Sequence, residues 1–215
     1  MSSRATLWCG LIFGGLYLAA FGYLGSPPDA DAAGSAVTSW LSEHHGDVRT
    51  FAWLLVIGLP FFCASAAGIR QRLPEGLRDL FFAGAIAFVV ETALQCWLWG
   101  ALAFGADSGG SSSVTVFRAA LFWGPVLTSA TLAMLVPIAL GGLRGSWPTW
   151  LGVLAAVTAL EQAVETSTVF GHHGFMAPGG GMNVYLGAGL TAAALIGTVV
   201  CVALGRAAAP GAADG

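Results

Sequence analysis

Three glutamates stand inside runs of apolar residues: Glu91 in "FVVETALQCWLWG", and Glu161 and Glu165 in "TALEQAVETSTVFGHHG". A charged side chain at the centre of a bilayer helix costs about 2.5 to 3.5 kcal/mol on insertion scales. Acids placed there need a chemical reason. Thr158, Glu161, Glu165, Thr168 and His172 follow spacings of three and four, so on a helix they form one polar stripe that must face a bundle interior. Leu154, Val157, Leu160, Val164 and Val169 fall on the other faces and suit lipid or helix contact.

Glu91 and Gln95 are four residues apart, on one face with Phe88 and near Trp99. If both segments run outward across the membrane, Glu91 and Glu161 each lie about 17 Å from the cytoplasmic edge, with Glu165 about 6 Å further out. The expectation is a shared chamber of three carboxyl groups, open toward the outer loops. Desolvation and a neighbouring acid both favour the neutral form of a carboxyl group. No basic residue occupies the middle of any apolar run, so the chamber would hold a carboxylic acid able to donate a proton. Alternatively, the three groups are neutral and serve only to hydrogen-bond adjacent helices. Arg118 is a candidate partner for Glu165.

The elements that must position these groups are membrane helices. The chain has 215 residues, of which 56% are hydrophobic and 9% charged, whereas soluble domains run near 25% charged. Six apolar runs of spanning length are read at about 7–24, 50–69, 80–104, 116–141, 149–170 and 184–205. The fold expected is therefore all-α: a single polytopic bundle of six transmembrane helices. Arg4, Arg70, Arg72, Arg78, Arg144 and Arg206 fall on one side of these spans and only Arg49 and Arg118 on the other. By the positive-inside rule both termini are cytoplasmic.

The connections differ in kind. The first outer segment is long enough for a surface helix, with Ser35 as its N-cap. "GADSGGSSSV" reads as a flexible linker, and "GHHGFMAPGGGMN" is a glycine-rich loop. Gly10 and Gly14 form a GxxxG pattern that marks close helix packing. Pro60, Pro125 and Pro137 should kink their helices.

Composition excludes several functions. A net charge of −3 without a basic cluster argues against nucleic acid as a partner. All eight basic residues are arginines, so no lysine is present to form a retinal-type Schiff base. Cys9, Cys63, Cys96 and Cys201 lie in apolar segments without CxxC spacing and read as small hydrophobes. The pairs His44–His45 and His172–His173, the latter flanked by Met176 and Met182, have donors suited to copper or zinc. Adjacent histidines on a helix diverge by about 100°, so each pair offers one ligand. No metal or cofactor is expected.

The order of "SPPDADA", "LSEHHGDVR" and "ALEQAVETSTVFGHHGFMAPGGGMN" around these spans resembles a group of small six-span bacterial membrane proteins, mostly uncharacterised. In size, span number and intramembrane acids the chain is also similar to the integral-membrane terpene cyclases of bacterial indole-terpenoid pathways. That resemblance implies proton-initiated cyclisation of a prenyl chain on a lipophilic, indole-type substrate in the bacterial cytoplasmic membrane. It implies catalysis by Glu91, Glu161 and Glu165, with Glu161 or Glu91 as proton donor. Substrate would then be lined by Phe88, Gln95, Trp99, Trp123, Thr158, Thr168, Phe170 and His172, the last a candidate final base. The rival readings are a proton-coupled transporter, an accessory subunit of a larger complex, or an outer-face metal-binding protein.

Overall fold

The computed structural model describes residues 2–105 and 111–206. Those residues are largely helical, with no strand among them: α1 (Ser3–Leu24), α2 (Gly34–Arg70), α3 (Glu75–Phe104), α4 (Ser111–Leu121), α5 (Trp123–Leu143), α6 (Thr149–Glu165) and α7 (Ala188–Ala203). A 3-10 turn, Thr166–Phe170, continues α6, and a π-helical turn, Met182–Gly187, leads into α7. Five rods are long and apolar enough to cross a membrane: α1, α2, α3, the stretch Ser113–Leu143, and Met182–Ala203. The sixth is shorter, with 17 residues of α6 followed by the 3-10 turn. Large apolar side chains such as Trp8, Val90, Trp97 and Phe104 stand exposed on the outside of the rods, as lipid contact requires and water would penalise.

The rods pack in a closed ring. α1 contacts α2 and α7, α2 contacts α3, α3 contacts α5, α5 contacts α6, and α6 returns to α7. Small residues set the close approaches that lipid-embedded helices need, since apolar burial between them gives little drive. A Cβ on Gly10 would lie 2.5 Å from Val199, and one on Gly14 would lie 3.1 Å from Ile196. The GxxxG pattern of α1 is thus the seat of α7. Gly142 of α5 and Gly152 of α6 meet backbone to backbone. Six arginines (Arg4, Arg70, Arg72, Arg78, Arg144 and Arg206) mark the end of the bundle where α1 begins and α7 finishes. Arg72 there donates to Ser3 Oγ at 2.9 Å. The opposite end carries the segments 25–33 and 171–181 and is called the loop end below.

Two local features differ from expectation. The surface helix and the second span are one rod, since α2 runs unbroken through Pro60 for 37 residues, starting after Ala33 without a side-chain cap. Ser35 lies inside it. The glycine–serine linker falls partly outside the described residues, and from Ser111 onward the chain is helical. The break between α4 and α5 comes at Phe122, three residues before Pro125. Proline clashes with the carbonyl four residues back, so it is tolerated in the first turn of α5 and ends α4 at Leu121.

The ring interior is filled rather than open. Phe13, Tyr17, Phe62 and Phe88 pack edge-to-face and tilted with centroids 4.7–6.1 Å apart. Trp99, Trp40, Phe51 and Phe117 form a second aromatic group toward the loop end.

Because only backbone atoms face Gly152 across the α5–α6 contact, no side chain can swing away to admit a methyl group. Gly152→Ala is expected to lower the thermal stability of the detergent-solubilised protein by about 1 to 3 kcal/mol. Gly15→Ala, which meets nothing within 4 Å, should not be destabilised.

Candidate functional site

The stripe on α6 holds in space: Thr158, Glu161, Gln162, Glu165 and Thr168 are all buried, Glu165 with only 3% of its surface exposed. Gln162 joins the two acids. Its Nε2 donates to Glu161 Oε2 at 2.9 Å and to Glu165 Oε2 at 2.5 Å. Glu165 Oε1 accepts from Asn183 Nδ2 at 2.6 Å, and the same amide reaches Thr168 Oγ1 at 3.4 Å. Asn183 is oriented by the glycine-rich loop, whose Gly179 N–H donates to Asn183 Oδ1 at 3.0 Å. Gly179 has φ 75°, in the left-handed region that only glycine enters readily.

The local backbone explains how the acids come so close to a second helix. α-Helical geometry stops at Glu165, the next turn is 3-10, and Asn183 lies in the π turn that opens the last rod. π turns are rare and concentrate at functional positions. Two glycines leave room for the polar groups. A Cβ on Gly187 would collide with Glu165 Oε2, and one on Gly124 would lie 2.6 Å from the Asn183 amide.

Beside the cluster is a cavity of about 10 Å³, room for about one water molecule. Tyr17, Trp123, Gln162, Glu165 and Asn183 are among its walls. Trp123 stacks on Phe21 with centroids 5.2 Å apart. The space beside the acids is therefore water-sized rather than a chamber of substrate size, and it has two aromatic residues, Tyr17 and Trp123, in its lining.

Glu91 is not part of the hydrogen-bonded cluster. α5 lies between α3 and α6 in the ring. Gly84 of α3 meets Ala130–Met134 of α5, and Gln95 Nε2 donates to Ala120 O at 2.9 Å. That register sets Glu91 near the level of Gly124, about 12 Å nearer the loop end than Glu161. Part of this offset comes from the start of α3, which lies at Glu75 rather than at residue 80. Glu91 is half-buried, with its Oε2 enclosed and without a hydrogen-bond partner.

The remaining expected site residues scatter. Gln95 bonds a carbonyl beside the α4–α5 break. Phe88 and Trp99 sit in the two aromatic groups of the interior. Thr158 Oγ1 donates to Leu154 O of its own helix at 2.8 Å. Phe170 points outward with 82% exposure. His172 is exposed and lines a recess at the loop end, where Arg118 also stands. Arg118 reaches Ala32 O rather than Glu165. His44 and His45 turn Nδ1 toward carbonyl oxygens of α2 itself, and among the described residues no three histidine, cysteine, aspartate or glutamate side chains come together as metal ligands.

Asn183 was missed by sequence reasoning. Its one signal is position: a lone amide at the start of the last apolar span, two residues after a run of three glycines. No known family, curated protein or solved structure matches the chain.

The hydrogen-bond pattern makes the two acids unequal. Both oxygens of Glu165 accept from amide N–H groups, whereas Glu161 Oε1 is buried without a partner. Glu165→Gln would set an NH₂ group against the NH₂ of Gln162 or Asn183, and is expected to cost about 1 to 3 kcal/mol of stability. Glu161→Gln can keep its bond to Gln162 and should cost less. Thermal unfolding in detergent micelles checks this, and the reverse order would contradict the network.

Proposed function

We propose that this protein is a membrane-embedded acid–base enzyme whose Glu161–Gln162–Glu165–Asn183 cluster delivers a proton to a lipophilic substrate, with terpene cyclisation the specific reaction. The observation that carries the reading is a pair of buried carboxyl groups sharing one amide donor, with no arginine or histidine among the described residues bonded to either. Two unscreened negative charges that close would repel strongly in a low-dielectric interior. The pair therefore shares a proton. Glu161 Oε1 carries it, and Glu165, fixed by two amide donors, carries the charge.

In the cyclase chemistry the O–H bond of Glu161 breaks as its proton forms a C–H bond with an alkene carbon of the prenyl chain. The π pair of a neighbouring alkene closes the ring onto the resulting cation. A carboxylate then takes a proton from the carbon next to the last cation, so the product is an isomer and the acid is restored. The aromatic rings of Trp123 and Tyr17 in the lining attract cationic carbon, and a site this small leaves little room for water that would quench it. A prenyl chain needs more space than the cavity offers, so this function requires the glycine-rich loop and π turn to part from α6 as substrate enters. The bundle crosses the bacterial cytoplasmic membrane six times, with its arginine-rich end and both termini in the cytoplasm, in keeping with the distribution of arginine between its ends.

The water-sized cavity favours a second reading, a proton relay in which Glu161, Glu165 and one water pass protons across the site without a carbon substrate.

Both readings are tested with the protein in lipid nanodiscs or proteoliposomes. A panel of prenylated indoles and their epoxides should yield cyclised isomers. Glu161→Gln should cut turnover by at least about a hundredfold, on the scale of a lost general acid, while Glu91→Gln keeps it. If the wild type cyclises no member of the panel, or Glu161→Gln stays fully active, the enzyme reading fails. Proton flux into proteoliposomes that disappears in Glu161→Gln would then establish the relay, and unchanged flux would remove it.

A further inference from the structure

We propose that the recess beside Arg118 at the loop end binds a phosphate-bearing anion, and that this site is separate from the carboxyl cluster. The recess has a volume of about 350 Å³, with Arg118, His172, Asp31, Phe122 and Val169 in its walls. It backs onto the buried cavity through adjacent residues: Phe122 lines the recess and Trp123 the cavity, while Val169 lines the recess and Thr168 holds Asn183. The inference does not rest on the acid–base reading.

The polar groups of the recess are poorly used by the protein itself. Arg118 stands in the last turn of α4, and its one hydrogen bond among the described residues is a long 3.5 Å contact with Ala32 O. The rest of its planar fork makes no hydrogen bond among the described residues. His172 is exposed and makes no hydrogen bond among the described residues. The one acid in the wall, Asp31, is turned toward His173, with Nδ1 and Oδ2 3.7 Å apart. The recess thus offers a permanent guanidinium charge and an imidazole, while its carboxylate faces a histidine outside.

Guanidinium geometry matches a phosphate bidentately. A phosphate also has further oxygens, not engaged by the Arg118 fork, that can accept from His172, whereas both oxygens of a carboxylate are already held by the guanidinium. The apolar part of the wall points to the rest of the ligand. Phe122 and Val169 are partly exposed, and Phe170 beside them is almost fully so. They continue the recess into the lipid-facing surface of the bundle. Basic pockets between membrane helices take anionic head groups in this way. A phospholipid head group or a soluble phosphate can supply the anion.

The test uses the full chain in detergent, with phosphatidylglycerol, phosphatidylcholine and inorganic phosphate as separate probes read by native mass spectrometry and tryptophan fluorescence. Phosphatidylglycerol is expected to bind, Arg118→Gln to weaken it at least about tenfold, and Arg118→Lys to recover part of the loss. Saturable binding of inorganic phosphate that depends on Arg118, without lipid binding, supports the site with a soluble phosphate as its ligand. Arg118 is exposed, so Arg118→Gln should melt like the wild type. Asp31→Asn keeps the arginine and is expected to bind more tightly. Equal binding of phosphatidylcholine, equal binding by Arg118→Gln, weaker binding by Asp31→Asn, or no binding of any probe overturns the proposal.

Discussion

The hydrogen bond from Asn183 to Glu165 is the constraint on which the polar interior depends. At 2.6 Å it joins the end of α6 to the start of the last rod, across the glycine-rich loop that connects them. Both backbones depart from the α-helix there, one into a 3-10 turn and the other into a π turn. Gly124 and Gly187 keep side-chain atoms out of the space the two groups occupy. Gly179 fixes the asparagine from behind by donating to its carbonyl oxygen. Removing the asparagine would leave a buried carboxyl oxygen without its donor, a loss a membrane interior cannot make up with bulk water.

Charge distribution gives the cluster its character. Every arginine lies toward one end of the bundle or the other, where long side chains reach water or carbonyl groups, as Arg49 does at Ala103 O and Arg78 at Leu73 O. Among the described residues the two acids accept only from the side-chain amides of Gln162 and Asn183. Amide donors hold a carboxylate in place without cancelling its charge, so a neighbouring acid in the same enclosure favours keeping a proton. Such a site suits donation and recapture of a proton better than a fixed ion pair would.

Much of this was legible in the sequence, and what was not has identifiable causes. The spacing of Thr158, Glu161, Glu165 and Thr168 placed one inward stripe correctly, because helical periodicity depends only on local geometry. The GxxxG pattern of α1 marked its contact with α7 for a related reason: small residues stand where backbones touch. Depth was less readable. Glu91 fell out of register with Glu161 in part because hydropathy blurs helix starts, and α3 begins at Glu75, after Pro74, rather than at the first strongly apolar residue. The contact of Asn183 and the small cavity beside it depend on a loop folding back onto a helix end, which no periodic pattern encodes. His172 failed to reach the cluster because the helical turns end at Phe170 and Gly171 is extended, so helical spacing stops before it.

The central claim is that Glu161 carries a proton in the resting protein while Glu165 is held as its charged partner. The most direct measurement is the infrared carboxyl C=O band of the protein in nanodiscs at neutral pH, compared with Glu161→Gln and Glu91→Gln. A protonated-carboxyl band that shifts in heavy water, vanishes in Glu161→Gln and persists in Glu91→Gln is the predicted result. A wild-type spectrum without such a band, or one unchanged by Glu161→Gln, would contradict the account.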